Sequence, residues 1–201
     1  ALKALRDRLS ANVGFNLHNQ NWRTSAGQPP KPASISLLSV AYDEARTEND
    51  GRRLTKRLCA VIRDALEPLA PGQMGRYDDE FEVRAFGDNV TKWGTPVVLI
   101  ETGPWTTVEA DRPLVRLNFV ALVAALDALA TGRVHGADPA RYESLPVNES
   151  RMLALRITNA TIVAGTGVAS FTGDVGVAAT RAVRAENGRR QVVVTGRIED
   201  L

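Results

Sequence analysis

Pro96-Val97-Val98-Leu99-Ile100 is a continuous apolar run, and Glu101 follows it directly. A short apolar run without alternation is typical of a strand that is covered on both faces, as in an α/β sheet. Open sheets of this class place their ligand sites beyond the carboxyl ends of the strands. A carboxylate at that position is costly to bury unless it is paired or used. Glu101 is therefore a candidate functional residue at the end of this strand, and a paired structural carboxylate is the alternative that stays open.

A second short apolar segment, residues 12–17, also reads as a buried strand, and it ends at His18. If this strand and the one before Glu101 are parallel neighbours, both side chains point into one cleft. The alternative for a histidine at a strand end is a hydrogen-bonded structural residue, and both interpretations stay open at this point.

Helical periodicity extends over residues 44–66 and 113–131, whereas residues 153–201 are rich in short β-type segments with glycine and asparagine between them. The fold class expected is α/β, with a small C-terminal β-rich segment. We expect three parts: an α/β portion over residues 1–137, a linker over 138–150, and the β-rich segment over 151–201.

Composition and charge argue against a nucleic-acid partner and a membrane span. The chain has 25 basic and 23 acidic residues without a basic stripe, which argues against a nucleic-acid partner. The longest apolar stretch, around residues 119–130, is interrupted by Asp127 and is too short for a bilayer, so no membrane span is expected. The single Cys59 lies in an apolar helical patch and is interpreted as a buried structural thiol.

Three motifs, in this order along the chain, resemble the bacterial branch of the metallocarboxypeptidase (carboxypeptidase A-like) family. They are Gly14-Phe15-Asn16-Leu17-His18-Asn19-Gln20, Arg84-Ala85-Phe86-Gly87-Asp88-Asn89, and Trp93-Gly94-Thr95-Pro96-Val97-Val98-Leu99-Ile100-Glu101-Thr102-Gly103. The resemblance covers roughly residues 1–136. It implies a domain with a mixed, mostly parallel sheet flanked by helices, a peptide substrate, and a secreted or periplasmic location.

The resemblance also implies site residues. The family holds a zinc ion with His, Glu and His, and His18 matches the last of these ligands. Glu101 matches the carboxylate that takes a proton from the zinc-bound water and passes it to the leaving amine.

Three further residues are candidates for substrate binding. Tyr77 is the only tyrosine shortly before Glu101, where the family carries a tyrosine that closes over the substrate, although a loop aromatic packed on the surface would look the same. Asp88 and Asn89 match the neighbourhood of the pocket for the terminal side chain, but Gly87-Asp88-Asn89 is equally typical of a simple turn.

The chain departs from the family pattern in its zinc ligands. The first two family ligands come from a His-x-x-Glu motif upstream of the last histidine, and the sequence contains no such motif. Its first nine residues read as the end of an amphipathic helix without an initiator methionine, so we expect the chain to begin inside a domain. An incomplete zinc site and an inactive fragment are therefore predicted.

Two alternatives to a metallocarboxypeptidase remain. One is a non-catalytic relative that binds peptides or has a structural role. The other follows from the last fifty residues, where Ile157-Thr158-Asn159-Ala160-Thr161-Ile162-Val163 resembles the opening strands of amidohydrolase-superfamily proteins. Those strands build a small β-sandwich beside a metal-bearing barrel, which would make this chain an accessory part of such a hydrolase.

Overall fold

The computed structural model describes residues 1–105, 111–163, 165–186 and 189–199. The chain forms two compact units, Ala1–Arg151 and Met152–Leu201. The elements of the first unit are, in chain order, α1 (Leu2–Leu9), β1 (Gly14–Asn19), β2 (Ser25–Ala26), β3 (Lys31–Pro32), β4 (Ile35–Ser39), α2 (Asp50–Leu66), β5 (Met74–Arg76), α3 (Phe86–Lys92), β6 (Val97–Thr102), α4 (Asp111–Ala130), a 3₁₀ turn (Arg133–Gly136) and α5 (Ala140–Glu143). Those of the second unit are β7 (Leu155–Ile162), β8 (Phe171–Glu186) and β9 (Arg189–Glu199).

The first unit is built on a four-stranded sheet with the strand order β1-β6-β4-β5. The β1–β6 and β4–β5 pairs are parallel, and β6 runs antiparallel to β4. Strand β6 contains the apolar run before Glu101 and is an inner strand of the sheet. Its first five residues are buried. The predicted α/β class with a mixed, mostly parallel sheet is confirmed.

Helix α2 supplies much of the core of this unit, and it begins at Asp50 rather than at residue 44. The reason is Asn49, which has an extended backbone and whose side chain accepts a 2.8 Å hydrogen bond from the Arg52 N–H. This is the standard way to satisfy a free N–H at a helix start. Cys59 on this helix is fully buried, as predicted.

Helix α4 packs against α2. By length and composition, residues Arg112–Ala130 are long and apolar enough to cross a membrane. Four small or aliphatic residues of α4 are nevertheless buried in the core of the unit, namely Leu117, Ala121, Ala125 and Ala128. The core helix of a soluble protein passes the same test but is mostly buried, whereas 22% of this span is buried. One such helix is weak evidence for a membrane span.

The segment predicted as a linker, residues 138–150, packs into the first unit. It carries α5, and the side chains of Tyr142 and Leu145 are buried in the core. Two isolated β-bridges, between Arg76 and Val147 and between Ser25 and Glu149, hold its last residues beside the sheet. The boundary between the two units lies after Arg151.

The second unit is a single antiparallel sheet with the order β7-β8-β9. This agrees with the predicted β-rich C-terminal segment. A sandwich needs two sheets, whereas the described residues of this unit form one.

Candidate active site

One row of residues crosses the sheet of the first unit. His18 on β1 is the register partner of Glu101 on β6, Glu101 is the partner of Ser36 on β4, and the next partner of Ser36 is Gly75 on β5. Residues directly opposite each other on neighbouring strands project from the same face of a sheet. The row therefore places the imidazole, the carboxylate and the Ser36 hydroxyl side by side on one face.

Glu101 is buried, with 6% of its surface exposed, whereas the His18 side chain is 55% exposed. The Nδ1 atom of His18 lies 3.9 Å from Oε1 of Glu101, which is close enough for charge attraction but too long for a hydrogen bond. The other carboxylate oxygen, Oε2, is buried and accepts no hydrogen bond from the described residues. Burial raises the pKa of Glu101, and the neighbouring His18 lowers it by a smaller amount.

Three polar side chains form a closed network beside Glu101. Nε2 of Gln20 donates to the Ala33 carbonyl oxygen at 2.7 Å and to the Ser36 hydroxyl at 2.9 Å. Ser36 and Oδ1 of Asn148 are 2.9 Å apart, and Nδ2 of Asn148 donates to Oε1 of Gln20 at 3.1 Å. The network links the end of β1, the middle of β4 and the segment after α5.

Two glycines make room for the network because they carry no side chain. A Cβ atom at Gly75 would collide with Oδ1 of Asn148, so Asn148 covers the fourth position of the row only because that position carries no side chain. A Cβ atom at Gly103 would collide with the Ala33 carbonyl oxygen and with Nε2 of Gln20. Both glycines are therefore required for the close approach of these groups.

Tyr77 follows β5 directly and lines the same cleft as Glu101. The cleft has a volume of about 430 Å³ and is lined by polar residues, namely Asn19, Gln20, Asn21, Thr24, Tyr77, Glu101, Asn148, Glu149 and Ser150. Burial raises the pKa of the Tyr77 phenol, and the charges of Glu101 and Asp78 add to this effect. The structure thus brings Tyr77 and Glu101 to one cleft, and the role of Tyr77 in closing over the substrate stays a prediction.

His18 opens to a neighbouring cleft of about 630 Å³ that is formed mainly by the end of β1 and by α4. The two clefts share Asn19, so they meet at the end of β1. The condition set by the sequence argument, that β1 and β6 are parallel neighbours, is met. The two side chains nevertheless line different clefts, His18 the cleft beside α4 and Glu101 the polar cleft.

Asp88 and Asn89 lie elsewhere. Oδ1 of Asp88 accepts a 3.0 Å hydrogen bond from the Glu82 N–H, and Nδ2 of Asn89 donates to the carbonyl oxygens of Val83 and Ala85. These bonds hold the turn that leads into α3, and burial raises the pKa of Asp88. Neither residue lines the cleft of Glu101. The structure gives both a role in the turn, and their predicted role in substrate binding stays a prediction.

The residues present do not make a complete zinc site. The His18 imidazole and the Glu101 carboxylate are donors of the right chemistry, but catalytic zinc takes three protein ligands. The described residues contain no group of three or more His, Cys, Asp or Glu side chains that can hold a metal ion. His135, the other histidine, lies in the 3₁₀ turn after α4.

Sequence reasoning does not single out Ser36, Asn148 or Gly75, and Gln20 and Gly103 occur in it only within longer motifs. Ser36 lies in Ile35-Ser36-Leu37-Leu38-Ser39, where buried serines between aliphatic residues are a signal of a polar group inside a sheet layer. For Asn148 the sequence carries no local signal, because its partner Ser36 is 112 positions away.

The chain matches no family model, no curated protein and no solved structure in comparisons with known proteins.

Proposed function

We propose that this chain supplies the general base of a peptide hydrolase of the metallocarboxypeptidase kind, with Glu101 as that base and His18 beside it. The observation that carries the proposal is the buried Glu101 carboxylate. Its Oε2 accepts no hydrogen bond from the described residues, and it lies at the end of a central strand in a polar cleft. A buried acceptor without a partner is costly, and such groups are concentrated at functional sites.

The environment of Glu101 suits proton transfer. Because burial raises its pKa, the carboxylate is a stronger base than an exposed glutamate, and its conjugate acid is present over a wider pH range. It can therefore take a proton from an attacking water molecule and return it to the leaving amine. The half-exposed His18 adds positive charge on one side when it is protonated, and the Tyr77 phenol stands on the cleft wall.

Among the described residues, His18 is the proposed zinc ligand. When bound, the ion would activate water and polarise the scissile carbonyl group. Since the described residues offer fewer than three ligands, the proposal requires further ligands from polypeptide outside them. For the same reason, we expect the 201-residue chain alone to hydrolyse peptides poorly.

The test is a peptide-release assay with added zinc on the 201-residue chain and on the full product of its gene. We expect little release by the chain alone. In the gene product, Glu101→Gln should lower kcat at least about 100-fold, which is the usual contribution of a general base. Glu44→Gln, at an exposed carboxylate, is the matched control. Undiminished turnover by Glu101→Gln removes Glu101 from the mechanism.

A non-catalytic peptide-binding protein is the second candidate, and the incomplete set of zinc ligands favours it. The same assay separates the two functions. A gene product that binds peptides at this cleft, but releases no product with zinc present, supports the binding protein.

A further inference from the structure

The donors and acceptors of the hydrogen-bond network beside Glu101 can be assigned in only one way. The Ala33 carbonyl oxygen can only accept, so the Gln20 atom 2.7 Å from it is the donor Nε2, and Oε1 of Gln20 faces Asn148. Nδ2 of Asn148 must then donate to Oε1, which leaves Oδ1 to accept from the Ser36 hydroxyl. A single carbonyl group therefore orients both amides.

With this assignment, one N–H of the Asn148 amide is not used within the network. The Asn148 amide nitrogen carries two hydrogens, and within the described part of the chain it donates one hydrogen bond, to Gln20. Asn148 is half-buried and lines the cleft together with Glu101, whose Oε2 is an acceptor without a described partner. The cleft thus offers a ligand one directed N–H donor and one carboxylate acceptor.

The Asn148 N–H donor and the Glu101 carboxylate acceptor complement the C=O and the N–H of an amide group. Asn148 lies over Gly75 on β5, and Glu101 lies on β6, with β4 between them. Oδ1 of Asn148 is 2.9 Å from the Ser36 hydroxyl, and Ser36 is the register partner of Glu101, so the amide and the carboxylate lie beside neighbouring positions on one face of the sheet. The C=O and N–H of a trans amide point in opposite directions, so one amide group in the cleft can accept from Asn148 and donate to Glu101.

The charge of the cleft favours a neutral amide over an anion. Glu101 and Glu149 are its only charged lining residues among those described, and neither Lys nor Arg lines it. Glu149 is ion-paired with Arg151, so the repulsion of a carboxylate ligand would come chiefly from Glu101.

We infer that Asn148 binds the carbonyl oxygen of a ligand's amide group while Glu101 accepts the N–H of the same group. Asn148 is then a substrate-binding residue, admitted to the site by Gly75. The inference rests on the proposed function in treating this cleft as the ligand site, and it adds the chemical group that the cleft recognises.

The experiment is an NMR titration of the 201-residue chain with N-methylbenzamide and with methyl benzoate, which differ in the N–H group. The chain has two histidines, so the His18 ring signals report on the site and the His135 signals serve as the internal reference. We expect the amide to shift the His18 signals. The ester should bind about fivefold more weakly, because one hydrogen bond is worth about 1 kcal/mol.

Variants separate the two contacts. Asn148→Ala should weaken both probes about fivefold while preserving the amide-to-ester ratio, because both probes carry the carbonyl group. Glu101→Met, whose side chain has no oxygen to accept the N–H, should abolish that ratio. Asn12→Ala, at an exposed asparagine, should change neither affinity. Melting curves check the fold, and Asn148→Ser replaces the alanine variant if that variant unfolds.

Three results overturn the inference: no shift of His18 by the amide, unchanged affinity in Asn148→Ala, or equal affinity for amide and ester. Loss of the amide-to-ester ratio in Asn148→Ala would show that this residue only maintains the structure of the site, which also overturns it. The kinetic effect of Glu101→Gln in the gene product tests the proposed function separately, so the two failures are distinguishable.

Discussion

His18 and Glu101 are partners in the parallel register of β1 and β6, and this pairing places Nδ1 of the imidazole 3.9 Å from Oε1 of the carboxylate. The distance is determined by backbone pairing and not by a hydrogen bond between the side chains. Glu101 therefore keeps its carboxylate oxygens available for a ligand while it lies within reach of the imidazole charge.

The first prediction concerns this charge. Replacing His18 by glutamine removes the group that lowers the pKa of Glu101, so the pKa of Glu101 should rise further. Carbon-13 NMR of the glutamate carboxyl groups over a pH series measures the effect. His135→Gln is the control and should leave Glu101 unchanged. A fall in the pKa of Glu101 in His18→Gln would contradict the electrostatic role of His18.

The second prediction concerns pH and stability. Since the pKa of Glu101 in the folded chain lies above the ordinary value of 4.5, the folded state binds more protons than the unfolded state between these two values. Stability is therefore lost as the pH rises through this window. Glu101→Gln, which stays neutral, should be more stable than wild type at pH 7, and each kcal/mol gained raises Tm by about 2–4 °C.

Thermal unfolding of wild type and Glu101→Gln from pH 3 to pH 8 measures this difference. It should shrink as the pH falls and vanish below about 4.5, where Glu101 is protonated in both states. Glu44→Gln controls for the loss of a carboxylate. A Glu101→Gln variant that is less stable than wild type at pH 7 would show that the carboxylate has a stabilising partner.

The third prediction concerns Gly75. Gly75→Ala should displace Asn148 and break its bond with Ser36, which costs about 1–3 kcal/mol for buried polar groups left without partners. In a chain that also carries Asn148→Gly, the methyl group has room, so the two substitutions should be coupled rather than additive. Urea unfolding measures the four free energies of the cycle.

The control for this cycle is Gly136→Ala, because a Cβ atom at Gly136 has no described neighbour within 4 Å. Additive effects of Gly75→Ala and Asn148→Gly would mean that the glycine is not needed to admit Asn148.

The fourth prediction concerns residues 138–150, which the sequence predicts to be a linker. The Ser39 N–H donates a 3.1 Å hydrogen bond to the Tyr142 hydroxyl, and both residues are buried. Tyr142→Phe leaves this N–H without a partner and should lower the free energy of unfolding by about 1–3 kcal/mol. Tyr42→Phe, at a half-buried tyrosine, is the control. An unchanged stability would mean that residues 138–150 contribute little to the first unit.

Local patterns were sufficient for part of this molecule. The apolar run before Glu101 predicted β6, and helical periodicity predicted α2 and α4, because each pattern lies within one element. Strand β4 was missed because its serines interrupt the apolar run, although Ser34, Ser36 and Ser39 are all buried and hydrogen-bonded. Hydrogen bonding offsets the cost of burying a hydroxyl, and composition alone does not reveal such partners.

The residues of the candidate site also fall into those that local sequence predicts and those that it does not. Glu101 and His18 each follow an apolar run, so their positions at strand ends were predictable. The bond between Ser36 and Asn148 joins residues far apart in sequence, and it depends on the absence of a side chain at Gly75. Pairing of this kind depends on the three-dimensional arrangement of β4, β5 and the segment after α5, which no local periodicity describes.

The row that joins His18, Glu101, Ser36 and Gly75 also limits how the chain can vary in length. Side chains alternate between the two faces of a strand, so one residue inserted within β6 before Glu101 would turn the carboxylate to the opposite face. A deletion there would do the same. The connections between the strands, in contrast, can grow or shrink without disturbing the row. Length changes compatible with this site should therefore be confined to the loops, while the spacing within each strand is preserved.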